Sequence, residues 1–273
     1  MDWSVVESSL DAGEINGEET ADRVDPRFRF AWWNCPSGRA GRPLIVAVHG
    51  SGRDYRETGE AFLPLAKAHD ASVMAPLFPR WEGEGGGDGY KFLHEPGADY
   101  VALLDRMLDS LAAEHRYDPA CIYLFGFSGG GQFVHRYAIA RASRLAGLVV
   151  AAPGSVTLLE ENLPWWAGLS GMKDKIGHAP DLAGLAALPV HLVIGDRDVD
   201  NDLIGRPPGH PYHSPYADHA GAGRQARLKA LKASLEGRGV SVSLDLLPGV
   251  NHELAPVAAA AALRIDQWMK QGR

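Results

Sequence analysis

Ser128 lies in Gly126-Phe127-Ser128-Gly129-Gly130, a Gly-x-Ser-x-Gly pentapeptide. A serine hydroxyl attacks a carbonyl carbon only when a base takes its proton as the new bond forms. The chemistry on offer is acyl transfer, and it requires a histidine and a carboxylate elsewhere in the chain. His252, in Gly249-Val250-Asn251-His252, is the candidate base. Four acids compete to orient it: Asp196, Asp198, Asp200 and Asp202, all within residues 194–202. Asp196 stands close behind an apolar run and suits turn backbone, while Asp200 and Asp202 suit a solvated loop. Asp198 is far enough along to reach over the end of that run and is the favoured acid. Plainer readings exist for each residue: a glycine-rich turn with a helix-capping serine, and a solvated loop histidine.

The elements around these residues give the pattern its context. Arg27–Trp33 alternates as an early strand. Leu44–Val48 is a continuous apolar run, as in a strand covered on both faces, and Ser72–Ala75, Cys121–Phe125, Leu148–Ala151, Val190–Ile194 and Val240–Leu246 read as further strands. Helical stretches are expected over 56–68, 98–114, 130–141, 223–236 and 255–270. Alternating strands and helices predict a mostly parallel central sheet with helices on both faces, an α/β fold. Ligands in such sheets bind beyond the carboxyl ends of the strands. Ser128 falls between an apolar strand and a helix, and His252 between the last strand and the last helix. Nothing marks a second domain, so 1–273 reads as one domain, with 153–187 an insertion. The first twenty or so residues are polar and suggest no element.

A developing oxyanion needs two backbone N–H donors. The residue after the nucleophile, Gly129, gives one, and the loop His49-Gly50-Ser51-Gly52 gives the other, from Ser51 with Gly52 close behind. His49 reads as a residue that holds this loop. Trp165 and Trp166 either line an acyl or aromatic pocket or anchor the insertion on the core. Trp81 and Tyr90, at the ends of a glycine-rich stretch, could border the mouth of the site. Tyr212, in a segment with His210, His213 and His219, could touch substrate from a loop over it. The irregular spacing of those histidines matches no metal pattern, so no metal is expected.

The 273 residues carry 27 basic and 34 acidic side chains, a net charge of −7 with no basic stripe, which argues against nucleic acid as a partner. The two cysteines, Cys35 and Cys121, form no CxxC pair and suggest neither zinc nor a disulfide framework. No apolar stretch is long enough to span a membrane. Met1-Asp2-Trp3-Ser4 lacks the basic and apolar regions of a signal peptide, so a cytoplasmic location is expected. No phosphate-cradling or dinucleotide motif is present, and no cofactor is expected.

His49-Gly50, Gly126–Gly130, Gly195-Asp-Arg-Asp198 and His252 together resemble the α/β-hydrolase superfamily from about residue 28 onward. The order Ser128, Asp198, His252 is the one that superfamily uses. Asp99–Leu111, Tyr117-Asp118-Pro119 and Ile122–Gly131 are similar to polyhydroxybutyrate-depolymerase-like and feruloyl-esterase-like serine esterases. The resemblance implies an α/β-hydrolase fold with a small cap insertion, 153–187, after the sixth strand. It implies hydrolysis of a small-molecule carboxylic ester through an acyl-enzyme. Lactone or peptide hydrolysis, and a ligand-binding protein without turnover, are the alternative readings.

Overall fold

The computed structural model describes residues 17–80, 86–200 and 205–272. Its strands are Gly17–Ala21 (β1), Arg29–Trp33 (β2), Leu44–Val48 (β3), Ser72–Leu77 (β4), the short pair His94–Glu95 (β5) and Ala98–Asp99 (β6), Ile122–Phe127 (β7), Gly147–Ala151 (β8), Val190–Gly195 (β9) and Val242–Leu247 (β10). Its α-helices are Tyr55–Glu60 (α1), Leu63–His69 (α2), Tyr100–Ala113 (α3), Gly129–Arg141 (α4), Met172–Ile176 (α5), Leu182–Ala187 (α6), Arg224–Glu236 (α7) and Leu254–Lys270 (α8). Among the described residues, eight strands form one sheet in the order β1-β2-β4-β3-β7-β8-β9-β10. Within this sheet β2 runs antiparallel to both β1 and β4, and every other pairing is parallel.

Side chains alternate across a strand, so a strand covered on both faces serves two cores at once. Leu44, Val46, Val48, Leu124, Val150 and Leu192 pack with α3, α4 and α7. Ile45, Ala47, Tyr123, Phe125, Val149 and Val193 pack with α2 and α8 on the opposite face. This is the α/β-hydrolase architecture expected from the alternation, and β8 is the sixth strand of the main sheet counted along the chain.

Three details differ from the sequence reading. The helix expected over 56–68 is two, α1 and α2, because the chain breaks at Ala61-Phe62 and restarts with Pro64 in its first turn. β1 was invisible: Gly-Glu-Glu-Thr-Ala is an exposed edge strand whose residues carry no apolar alternation. Rather than cap the cleft, residues 153–187 pack against α4. Val156, Leu158, Leu169, Met172, Ile176 and Leu185 join the larger core.

The helix after β7 starts early because of the turn that launches it. Gly126 and Gly130 approach so closely that a Cβ on Gly126 would stand 2.3 Å from the Gly130 carbonyl oxygen. A Cβ on Gly130 would stand 2.2 Å from that of Val48. Only glycine lets the backbone pass this closely.

Candidate active site

Ser128 sits at the N-cap of α4 with φ 55° and ψ −109°, a backbone conformation side chains rarely adopt. The turn is held because the Ser128 N–H donates to the Ala151 carbonyl at 2.8 Å, and the Gln132 N–H donates back to the Ser128 carbonyl at 3.1 Å. The sharp turn carries the hydroxyl past the carboxyl end of β7, at the centre of the sheet. His252 arrives on the loop between β10 and α8, and its Nε2 lies 2.9 Å from Ser128 Oγ. Its Nδ1 lies 2.7 Å from Asp198 Oδ2. The ring of Phe127 stacks on that of His252 with centroids 4.7 Å apart, which fixes the imidazole plane.

The loop after β9 sorts the competing acids. A Cβ on Gly195 would stand 2.1 Å from the Val250 carbonyl oxygen, so the chain turns there against the histidine loop. Beyond the turn, the Asp196 carboxylate accepts from the Gly249 N–H at 2.7 Å and thereby braces the same loop from outside. Asp198 points inward with its side chain wholly buried. Its second oxygen accepts from the Arg224 guanidinium at 3.1 Å. The backbone carbonyl of Asp200 also accepts from Arg224. Asp202 lies outside the described residues.

These groups open into a cleft of about 260 Å³ whose wall includes Gly50, Ser51, Ser128, His252, Lys91 and Arg224. The Ser51 and Gly129 N–H groups have no hydrogen-bond acceptor among the described residues. Gly129 itself is crowded: a Cβ there would stand 2.1 Å from the Tyr90 hydroxyl and 3.2 Å from Ser51 Oγ. His49 holds the glycine loop, since its Nδ1 meets the Gly50 carbonyl at 2.7 Å and its Nε2 accepts from the Phe78 N–H at 3.0 Å. Burial pushes its pKa down to about 4, so the ring bridges as a neutral tautomer.

The aromatic residues expected at substrate lie elsewhere. Trp166 packs on Phe92 and donates its indole N–H to the Tyr212 carbonyl at 2.9 Å. Tyr212 stacks on Phe92 with centroids 4.3 Å apart, and Trp165 packs against the same cluster. None of Trp165, Trp166 and Tyr212 lines the cleft, because each is taken up in fastening 153–187 and the 205–221 segment to the body. Gly154 is the insertion's contribution to the wall among the described residues. Trp81 lies outside the described residues. Tyr90 is fully buried beneath Gly129 rather than at the mouth.

Sequence reasoning missed Lys91 and Arg224. Both line the cleft and both are nearly buried, with 5% and 6% of their surface exposed. Neither belongs to a motif, so no spacing could have flagged them. Lys91 pairs with Asp88, which also pairs with Arg206. Burial works to raise the Asp88 carboxyl, but Lys91 and Arg206 outweigh it and hold it below the usual range. Beneath the cleft, Arg136 of α4 is fully buried and donates to the Lys91 carbonyl at 2.6 Å, Thr157 Oγ1 at 2.8 Å and Ser155 Oγ at 2.9 Å. It thus ties the insertion to the floor of the site. Among the described residues no group of three or more His, Cys, Asp or Glu could hold a metal ion. None of the described helices is long and apolar enough to cross a membrane.

The chain is 26% identical over 232 residues to a curated protein of Nocardia uniformis subsp. tsuyamanensis named "Putative esterase NocK". That match takes in 77% of this chain, which spans only 60% of the relative's length. Among solved structures it is similar to LpqC, a poly(3-hydroxybutyrate) depolymerase from Bordetella parapertussis, with a TM-score of 0.71 and 24% identity across 91% of this chain and 88% of that one. It is equally similar in fold to poly(aspartic acid) hydrolase-1 from Sphingomonas sp. KT-1, with a TM-score of 0.71 and 21% identity across 87% and 93% of the two chains. Residues 40–199 match the family described as serine aminopeptidase, S33, and the chain belongs to that family of α/β-hydrolases.

Proposed function

We propose that the protein is a serine hydrolase that cleaves a small carboxylic ester through an acyl-enzyme on Ser128. The observation that carries this reading is the hydrogen-bonded line from Ser128 Oγ through both nitrogens of His252 to the buried Asp198. With Nδ1–H donated to Asp198, Nε2 is the free base, and it accepts the Ser128 proton as Oγ attacks the acyl carbon. The tetrahedral oxyanion is received by the Ser51 and Gly129 N–H groups. Collapse expels the alcohol oxygen, which takes the proton from His252, and leaves the acyl group on Ser128. Water then gives its proton to His252, attacks the acyl carbon and releases the acid. Serine recovers its proton at the end.

The esterase and depolymerase names among the relatives favour an ester over the peptide bond of the family's description. The test is turnover of p-nitrophenyl butyrate beside an aminoacyl p-nitroanilide, with fluorophosphonate labelling of the intact protein. Ester turnover and labelling are expected in the wild type, and Ser128→Ala should lose both, with turnover down by several powers of ten. An unlabelled wild-type Ser128 would instead support a ligand-binding protein without turnover. Preferential cleavage of the anilide would move the substrate class to peptides.

A further inference from the structure

An arginine has donors and no acceptor, so any hydroxyl it bonds must answer with a lone pair. Arg136 donates to Ser155 Oγ at 2.9 Å and to Thr157 Oγ1 at 2.8 Å. Each hydroxyl is left with one proton to hand on. Thr157 gives its proton to the Trp166 carbonyl at 2.6 Å, and Ser155 gives its proton to Gln132 Oε1 at 2.7 Å. The Gln132 amide is thereby fixed in one sense: Oε1 faces Ser155, and Nε2 presents its two protons elsewhere. Gln132 lies one helical turn after Ser128 on α4, is only 6% exposed, and lines the cleft with Ser128 and Gly154. Among the described residues its Nε2 meets no acceptor. Nor is that nitrogen sealed in the core, so it is reached from the cleft.

We infer that Gln132 is a specificity-determining residue whose Nε2 donates to a second carbonyl oxygen of the substrate, so that the site selects oxo-substituted esters over plain alkyl ones. The inference rests on the serine-hydrolase reading above and adds the substrate class. The second oxygen belongs to the acyl or the alcohol part; the donor asks for the same chemistry from either. An apolar group in its place displaces water from Nε2 and leaves a nearly buried donor unpaired. A pocket built around a directed donor rejects such analogues far better than one that measures size alone. Arg136 acts one step behind, since it holds Ser155 in the sense that keeps the Gln132 amide from turning over.

The test uses two pairs of esters: p-nitrophenyl 4-oxopentanoate against p-nitrophenyl pentanoate for the acyl part, and 4-acetylphenyl butyrate against 4-ethylphenyl butyrate for the alcohol part. The readout is the ratio of kcat/KM within a pair, compared between wild type and variants, so the intrinsic reactivity of each ester cancels. Gln132→Leu and Gln132→Glu should each lower the oxo-to-alkyl ratio about tenfold in one pair, the scale of one hydrogen bond and its unpaired donor. Gln132→Glu, assayed at pH 8, keeps an acceptor for Ser155 and turns a carboxylate oxygen to the substrate. It is the deciding variant, because leucine also favours alkyl groups by contact. A folded Gln132→Glu protein whose ratios stay within twofold of wild type in both pairs overturns the inference, while fluorophosphonate labelling of Ser128 leaves the hydrolase reading standing. If no ester is cleaved and Ser128 resists the label, the hydrolase reading fails. The thermal midpoint then decides: 4-oxopentanamide should raise it more than pentanamide does in the wild type and not in Gln132→Glu, and equal shifts overturn the inference.

Discussion

Replacing Asp198 with Asn separates the two jobs that this buried side chain performs. The amide is nearly isosteric, so its oxygen can still accept from Arg224 while its NH₂ faces His252 Nδ1. That NH₂ donates where the carboxylate accepted. His252 must then accept at Nδ1 and carry its proton on Nε2, the nitrogen 2.9 Å from Ser128 Oγ. A protonated Nε2 cannot take the serine proton, and the developing imidazolium loses its counter-charge. The expected loss is about 10⁴-fold in kcat, or about 5 kcal/mol of transition-state stabilisation. Stability should fall as well, by up to about 3–5 kcal/mol, because Arg224 keeps its charge in a buried place without an anion. Asp196→Asn is the internal control. Its amide oxygen can still accept from the Gly249 N–H, so stability should change by no more than about 1 kcal/mol and turnover by a few-fold. The assay is p-nitrophenyl butyrate hydrolysis on proteins whose circular dichroism and thermal midpoints establish folding. Equal losses in the two variants, or a folded Asp198→Asn protein within tenfold of wild type, would refute the reasoning.

Two more outcomes follow from the surroundings of the site. His49 and His135 are buried as neutral bridges, and burial holds both below the ordinary histidine value of 6.5, His49 at about 4. The unfolded chain therefore binds protons that the folded chain refuses, so their stabilisation is present above pH 6.5 and is lost as pH falls from 6.5 towards 4. For His49 that drop is worth about 3 kcal/mol; the midpoint in a thermal melt should decline steeply across this window, and a flat profile would count against the neutral bridges. Gly130→Ala should lower stability by at least about 3 kcal/mol and abolish fluorophosphonate labelling, because its methyl group would stand 2.2 Å from the Val48 carbonyl oxygen. Wild-type labelling and melting by this variant would show that the turn has more room than the geometry allows.

Much of this architecture was legible because burial on two faces leaves an unambiguous record. β3, β7, β8 and β9 are runs of apolar residues, and each came within two residues of its bounds from that fact alone. Ser128 could be placed for the same reason, since it follows such a strand, and His252 was placed by the loop between the last strand and the last helix. The chain turns at Gly195, before Asp198. Edge strand β1 left no record because polar residues satisfy it. The wall of the cleft was the least legible part. Lys91 and Arg224 enter it from a short 3₁₀ turn and the first residue of α7, where sequence pattern assigns a charged residue to solvent. The tryptophan pair left two readings open because bulk and apolarity serve a fastening cluster as well as a pocket.

The candidate base hangs from a margin of the sheet. β10 is the last strand, hydrogen-bonded to β9 alone, and its residues are half-buried where those of β9 are buried throughout. Strand margins with few apolar contacts open at lower free energy than the body they border. Parting β10 from β9 would carry His252 away from Ser128 while the central strands and the turn at Gly126–Gly130 stayed intact. Competence for hydrolysis and integrity of the core are thus separable properties, and the first has the lower ceiling. Heat or denaturant should silence the protein before it melts, and a cross-link between β9 and β10 would extend its working range without touching a residue of the cleft.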